Sequence, residues 1–127
     1  MQYLADAARL NGAKICVVNA ADCTDGRCVS DVGKDNTLIF DKVNVAQAGV
    51  HHVTILYLTG VDRSADLSVN WSATIKVHFP STSAAANNNG IVGAVSVDLP
   101  FRAGTNTLTI SNPRAWAPDF DSIIVAE

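Results

Sequence analysis

The sequence predicts an all-β domain, an antiparallel β-sandwich of jelly-roll type with about ten short strands. Three observations predict it. Apolar and polar residues alternate at period two through most of the chain, turn signals separate the alternating runs, and no segment carries the apolar stripe of an amphipathic helix. The chain has 127 residues, 48% of them hydrophobic, which suffices for a core without metal or disulfide staples. Residues 1–127 read as a single domain, with no linker and no internal repeat.

In chain order, Tyr3-Leu-Ala-Asp-Ala-Ala8 reads as the first strand, closed by Asn11-Gly12. Lys14-Ile-Cys-Val-Val is a short apolar strand before the Asp25-Gly26 turn. Val29-Ser-Asp-Val-Gly33 and Asn36-Thr-Leu-Ile-Phe40 flank the turn Gly33–Asn36. After Ala48-Gly49, the run His52–Tyr57 puts Val53, Ile55 and Tyr57 on one face. Gly60–Arg63 turns the chain into Leu67-Ser-Val-Asn70. Thr74–Phe79 aligns Ile75, Val77 and Phe79, and Ala94–Leu99 aligns Val95, Val97 and Leu99. The turn Ala103-Gly104 precedes Thr107–Ser111, where Leu108 and Ile110 share a face. A short apolar strand, Ser122-Ile-Ile-Val, closes the chain.

The charge balance excludes one class of partner. Twelve acids stand against nine Lys and Arg, and those bases form no run, whereas nucleic acid needs clustered cations. No apolar stretch reaches membrane-spanning length, so neither nucleic acid nor membrane is an expected partner. The cysteines are Cys16, Cys23 and Cys28, an odd number. Cys16, in an apolar strand, is expected to be buried and unmodified. If a bridge forms, Cys23 and Cys28 are the better-placed pair, because they flank a turn.

The order of these pieces resembles a family 35 carbohydrate-binding module, a relative of family 6. The most specific parts are Ala103-Gly-Thr-Asn-Thr107 and the ending Trp116-Ala-Pro-Asp-Phe-Asp-Ser-Ile123. The Cys23-to-Gly26 turn, Phe79-Pro-Ser-Thr82 and the Val-Ser-Val-Asp-Leu strand fall between them in the family's order. The resemblance implies a jelly-roll module without catalytic activity. Such a module is secreted, extracellular and monomeric, tethered to a glycoside hydrolase or related enzyme that it targets to a polysaccharide or oligosaccharide. The glycan expected is one containing galactose, mannose or uronic acid. The resemblance also implies a structural calcium where the first strand meets the last, held by Asp6, Asp121 and a backbone carbonyl near Arg27. Calcium takes roughly six to eight oxygens. The family's first strand usually reads Tyr-Glu-Ala-Glu, so Leu4 removes one ligand.

The same resemblance gives Trp116 the role of sugar platform. A pyranose packs its face of C–H groups on an aromatic ring, while its hydroxyls need polar partners around the edge. Asn112, Asp35 and Asn36 are placed to supply them, with Arg63 as a partner for a carboxylate-bearing sugar. The small, polar stretch 81–90 is either a plain surface loop or a binding loop contributing Asn88. Packing of Trp116 over the sandwich end is the competing reading.

The residues speak against other classes. A glycan-active enzyme would use Asp119 and Asp121, which share a face if the strand is regular. Glycosidase carboxyls, however, flank the sugar from different elements, about 5 to 9.5 Å apart. His51 and His52 point to opposite faces of a strand and do not chelate one metal, and His78 is alone on a wet face. A protein-binding or adhesive sandwich is the alternative of the same fold. Asn70-Trp-Ser72 is an N-glycosylation sequon, and Trp71, in phase with Leu67 and Val69, is expected at the core or its rim.

Overall fold

The computed structural model describes residues 1–17, 26–82 and 92–127, with backbone alone for 16 and 17. Among them are eleven strands: β1 (Gln2–Leu4), β2 (Arg9–Asn11), β3 (Lys14–Val17), β4 (Arg27–Ser30), β5 (Thr37–Val45), β6 (Gly49–Leu58), β7 (Arg63–Val69), β8 (Ile75–Phe79), β9 (Gly93–Phe101), β10 (Gly104–Ser111) and β11 (Asp119–Val125). One sheet runs β3-β4-β11-β6-β9, with β1 also on β11, and the other runs β2-β5-β10-β7-β8. Every strand pair is antiparallel, which is the sandwich that the alternation predicts.

The expected first strand divides in two. Leu4 pairs with Ser122 of β11, a 3₁₀ turn over Ala5–Ala7 follows, and Arg9 then pairs with Ile39 of β5 in the other sheet. The chain changes sheets at Ala5, which is fully buried. A small side chain suits that crossing, because nothing larger fits between facing layers without moving them.

The core fills the space between the sheets with Leu38, Phe40, Ile55, Leu67, Leu108, Ile110 and Ile123 among others. Toward the β6 exit it becomes aromatic. Tyr57 and Phe79 meet edge to face at 4.9 Å between centroids, and Phe79 meets Phe120 at 5.7 Å. The Tyr57 hydroxyl donates to the Pro80 carbonyl at 2.7 Å, so the buried ring keeps its polar end satisfied.

At the other end, Asn106 explains the Ala-Gly-Thr-Asn-Thr motif. Its side chain is 1% exposed. Its Nδ2 donates to the carbonyls of Arg102 (2.8 Å) and Gly104 (3.1 Å), and its Oδ1 accepts from the Arg102 amide (3.0 Å) and from Asn70 Nδ2 (2.8 Å). Asn70 Oδ1 in turn accepts from the Thr107 amide at 2.8 Å. The sequon amide is thus tied into the β7–β8 turn. Asn70 and Trp71 there have φ of 51° and 63°, which breaks the alternation. Trp71 is therefore 64% exposed rather than at the core, a correction to the sequence expectation.

The histidine pair falls as expected. His51 is buried and His52 exposed, the latter 2.9 Å from Asp98 on β9. Both ring nitrogens of His51 lie 2.8 Å from carbonyl oxygens, those of Ala126 and Gln47. These bonds raise the His51 pKa above its ordinary value, because only the imidazolium donates from both nitrogens. His78 is not alone, since Asp62 Oδ2 lies 4.0 Å from its Nε2.

Cys28 is buried and disulfide-bonded. The β3–β4 register sets Cys16 directly opposite Cys28. Facing residues of an antiparallel pair have Cα atoms about 4.5 to 5.5 Å apart, within bridging range. Cys23 lies outside the described residues. Peptide mapping of non-reduced protein is expected to recover a Cys16–Cys28 peptide and a free thiol at Cys23. A Cys23–Cys28 peptide would instead restore the pairing expected from sequence.

Candidate functional site

The site lies where β6 ends and β7 and β11 begin. Asp119 faces Leu58 at the start of β11, and Arg63 faces Phe79 at the start of β7. Above them runs the segment 112–118, which carries Trp116. Its shape is set locally by Asn112, whose Oδ1 accepts from the amides of Arg114 and Ala115, both at 3.2 Å. The Asn112 Nδ2 donates to the Ser64 carbonyl at 2.9 Å, tying the segment to β7. The two prolines, Pro113 and Pro118, keep it from pairing as regular strand.

A second anchor comes from the turn before β5. Gly33 and Trp116 form an isolated antiparallel bridge, Ala117 donates its amide to the Val32 carbonyl at 2.8 Å, and the Lys34 amide bonds the Asn112 carbonyl. Gly33 has φ 132°, and a Cβ there would meet the Ala115 carbonyl oxygen and lie 2.8 Å from the Trp116 Cα. Only glycine permits this approach. Trp116 ends up 39% exposed, with Lys34 Nζ 4.9 Å from its ring centroid.

Trp116 separates two hollows. The first, about 350 Å³, is lined by Ser30, Asp31, Thr59, Arg63, Trp116 and Asp119 among others. The second, about 300 Å³, adjoins it and is lined by Asp62, Arg63, Ser64, Lys76, His78 and Trp116 with Asn112 and Ala115. Arg63 and Trp116 are common to both. A larger hollow, about 480 Å³, lies elsewhere, against β1, β2 and β5, beside the Arg9–Asp41 ion pair.

In the first hollow Asp119 is pushed up to about 6. Burial is the chief cause, opposed by the Arg63 charge and assisted by that of Asp31. The carboxyl therefore changes charge near neutrality, at the wall of a polar cavity beside an aromatic ring. That arrangement suits hydroxyl donors that stabilise the carboxylate when they bind.

The residues expected from sequence separate as follows. Trp116 and Arg63 line both hollows, and Asn112 lines the second with its amide already engaged. Asn36 donates from Nδ2 to the Asp31 carbonyl at 3.0 Å and packs on Gly12, while Asp35 is exposed in the turn; neither lines a hollow. Asn88 lies outside the described residues. Asp31, Ser30 and Thr59 join the site without any local sequence signal, because two separate connections, at the end of β4 and after β6, bring them there.

The acid pair is also corrected. The β11 register shifts between Phe120 and Ser122, so Asp121 is the extra residue of a bulge. Asp119 stays at the cavity, whereas Asp121 is 2% exposed and accepts from the Ser122 hydroxyl at 2.9 Å. A carboxyl so enclosed does not flank a sugar, so the two do not act as an acid–base pair.

No protein-family model matches the sequence, and no curated protein matches it. Solved structures do. A family 35 carbohydrate-binding module from Clostridium thermocellum is 27% identical, with a TM-score of 0.88 over 100% of this chain and 98% of that one. The exo-β-1,3-galactanase of Phanerochaete chrysosporium, solved with galactose, is 24% identical at a TM-score of 0.87; the match covers 99% of this chain but only 29% of the enzyme. A GH26-CBM35 β-1,4-mannanase from Podospora anserina is 23% identical at 0.80, over 99% of this chain and 27% of that one. Together, fold and full-length likeness define a non-catalytic carbohydrate-binding module. Within that class, the family 35 module is the likeness that runs the full length of both chains. The protein-binding alternative is not favoured.

The Asp119 pKa sets a stability prediction. The value rises from 3.8 to about 6 on folding, so the folded state binds the proton more tightly. Stability from this group is complete below pH 4 and is lost as pH climbs through 6. Asp119→Asn is expected to remove that loss, gaining on the order of 1–2 kcal/mol over wild type at pH 7 and nothing at pH 4. Urea unfolding of both proteins across this range measures it, and a gap that stays constant with pH contradicts the assignment.

Proposed function

We propose that the Trp116 end of the sandwich is the sugar-binding face of this module. In this role it holds an attached, secreted glycan-active enzyme against its polysaccharide. The carrying observation is the half-exposed Trp116 ring in the wall of a polar cavity with Arg63, Asp31 and Asp119. The ring offers an apolar surface to the C–H face of a pyranose, and the charged groups and Thr59 surround it for the hydroxyls. The galactanase and mannanase that contain similar domains support a galactose- or mannose-containing glycan, and Arg63 extends the choice to uronic acids. Tethering is supported by the same two enzymes, in which the matched region is a minor part of the chain. The Cys28 disulfide supports an oxidising, extracellular setting. The module acts as a monomer on its glycan, with neither nucleic acid nor membrane as partner.

Trp116→Ala is expected to lower retention in affinity gels of galactan, mannan or uronate-bearing glycan by more than about tenfold, because the ring supplies the stacking surface. The melt should move by only about 2–3 °C, since the segment is held through its backbone and Asn112. Undiminished retention would overturn the site, and a collapsed melt would assign Trp116 to packing.

A structural calcium belongs to this reading. The 3₁₀ turn carrying Asp6 lies against β4, on which Arg27 stands, and against β11, which carries the buried Asp121, and this packing of elements supports the reading. In this reading the two carboxylates and a carbonyl near Arg27 supply the protein's share of the ligands. Among the described residues no group of three acidic, His or Cys side chains provides a fuller one. Backbone carbonyls and water would complete the shell, with modest affinity as the consequence. EDTA is expected to lower the melting temperature by several degrees, restored by excess calcium. An identical melt in both, with no bound metal by elemental analysis, removes the metal from the account.

A further inference from the structure

The two hollows beside Trp116 differ in charge. In the first, the carboxyls of Asp31 and Asp119 outnumber the Arg63 guanidinium. In the second, Lys76 and Arg63 outnumber Asp62, and His78 adds charge when protonated. Asp62 is also committed, since its Oδ1 accepts from the Ser81 amide at 2.7 Å and its Oδ2 lies 4.0 Å from His78. Lys76 is not committed. It faces Asp66 across the β7–β8 pair, yet its side chain makes no ion pair or hydrogen bond among the described residues. An unpartnered ammonium therefore stands in the wall of a hollow that shares its aromatic ring with the first one.

We propose that the hollow lined by Lys76, His78 and Ser64 is a second subsite, which takes an acid-bearing sugar ring of the chain whose neutral ring sits between Trp116 and Asp119. This rests on the Trp116 site reading and adds a direction to it. An anionic ring in the first hollow would face Asp31 and Asp119 and be repelled, whereas on the other side of Trp116 it meets Lys76 and Arg63. The pattern recognised is thus a neutral sugar followed by one carrying a carboxylate or a sulfate ester. Both groups are acceptor-only anions that an ammonium binds as a point charge. Lys76 acts as a specificity residue, while the ring stacking on Trp116 supplies binding common to neutral and acidic glycans.

The test uses a neutral β-1,3-galactan, the same galactan carrying glucuronic acid, and a sulfated galactan, each in affinity gels and titration calorimetry. The parent module is expected to favour one or both acidic probes over the neutral one, with the preference fading as salt rises. Preference for the glucuronate probe identifies carboxylate as the source, and preference for the sulfated probe identifies sulfate. Lys76→Met, which keeps the apolar stem, should weaken the acidic probes about five- to tenfold and leave the neutral one unchanged. Equal loss on all three, no loss on any, or a parent without acidic preference overturns the subsite. Trp116→Ala separates the two readings. If it loses every probe while Lys76→Met changes nothing, the site stands and only the subsite falls.

Discussion

The pairing of β11 is the constraint on which the rest of this molecule depends. One edge of the strand takes β6, and the other takes β1 near its end and β4 near its start. The strand therefore joins the first residues of the chain to the last and closes the sheet through its middle. It also sets two chemically distinct places in three residues. Asp119 emerges at the cavity, and Asp121, one bulge later, is sealed against β4 and the 3₁₀ turn. A regular strand would have put both acids on one face, and the bulge is what separates a cavity-lining carboxyl from a buried one.

The site is rigid because its loop is fastened by backbone rather than by ligand. Gly33 bridges Trp116, Val32 takes the Ala117 amide, and Asn112 closes the intervening turn with its own side chain. Ordering of a loop on binding costs free energy, and here it has been ordered in advance. Asn112 contributes through position alone, since its amide is consumed in shaping the segment that presents Trp116. Gly33 has the same kind of role, through the absence of a side chain where two backbones meet.

Opposite ends of the sandwich use polar side chains in different ways. At one end Asn106 and Asn70 spend their amides on each other and on turn backbone, buried where an unpaired group would be costly. At the other, Asp31, Arg63, Lys76 and Asp119 line open hollows. Trp71 and Trp116 show the same contrast in aromatic form. The first is exposed at a turn with positive φ, and the second is half-covered beside charged groups.

The sequence by itself determined the sandwich, the strand faces and the place of Trp116 near a charged end. Period-two alternation and turn residues are local properties, and a strand buries whichever face is apolar. It also determined that His51 and His52 diverge. Only the tertiary structure decided which polar residues share a cavity. Asp31, the Thr59–Arg63 turn and Asp119 come from three separate parts of the chain, and nothing along it encodes their meeting. Only it decided that Cys16 faces Cys28, since that depends on the register of β3 with β4. Trp71 and Asp121 departed from expectation for one reason: a turn of positive φ and a bulge each reset the alternation, and sequence period carries no mark of where such a reset falls.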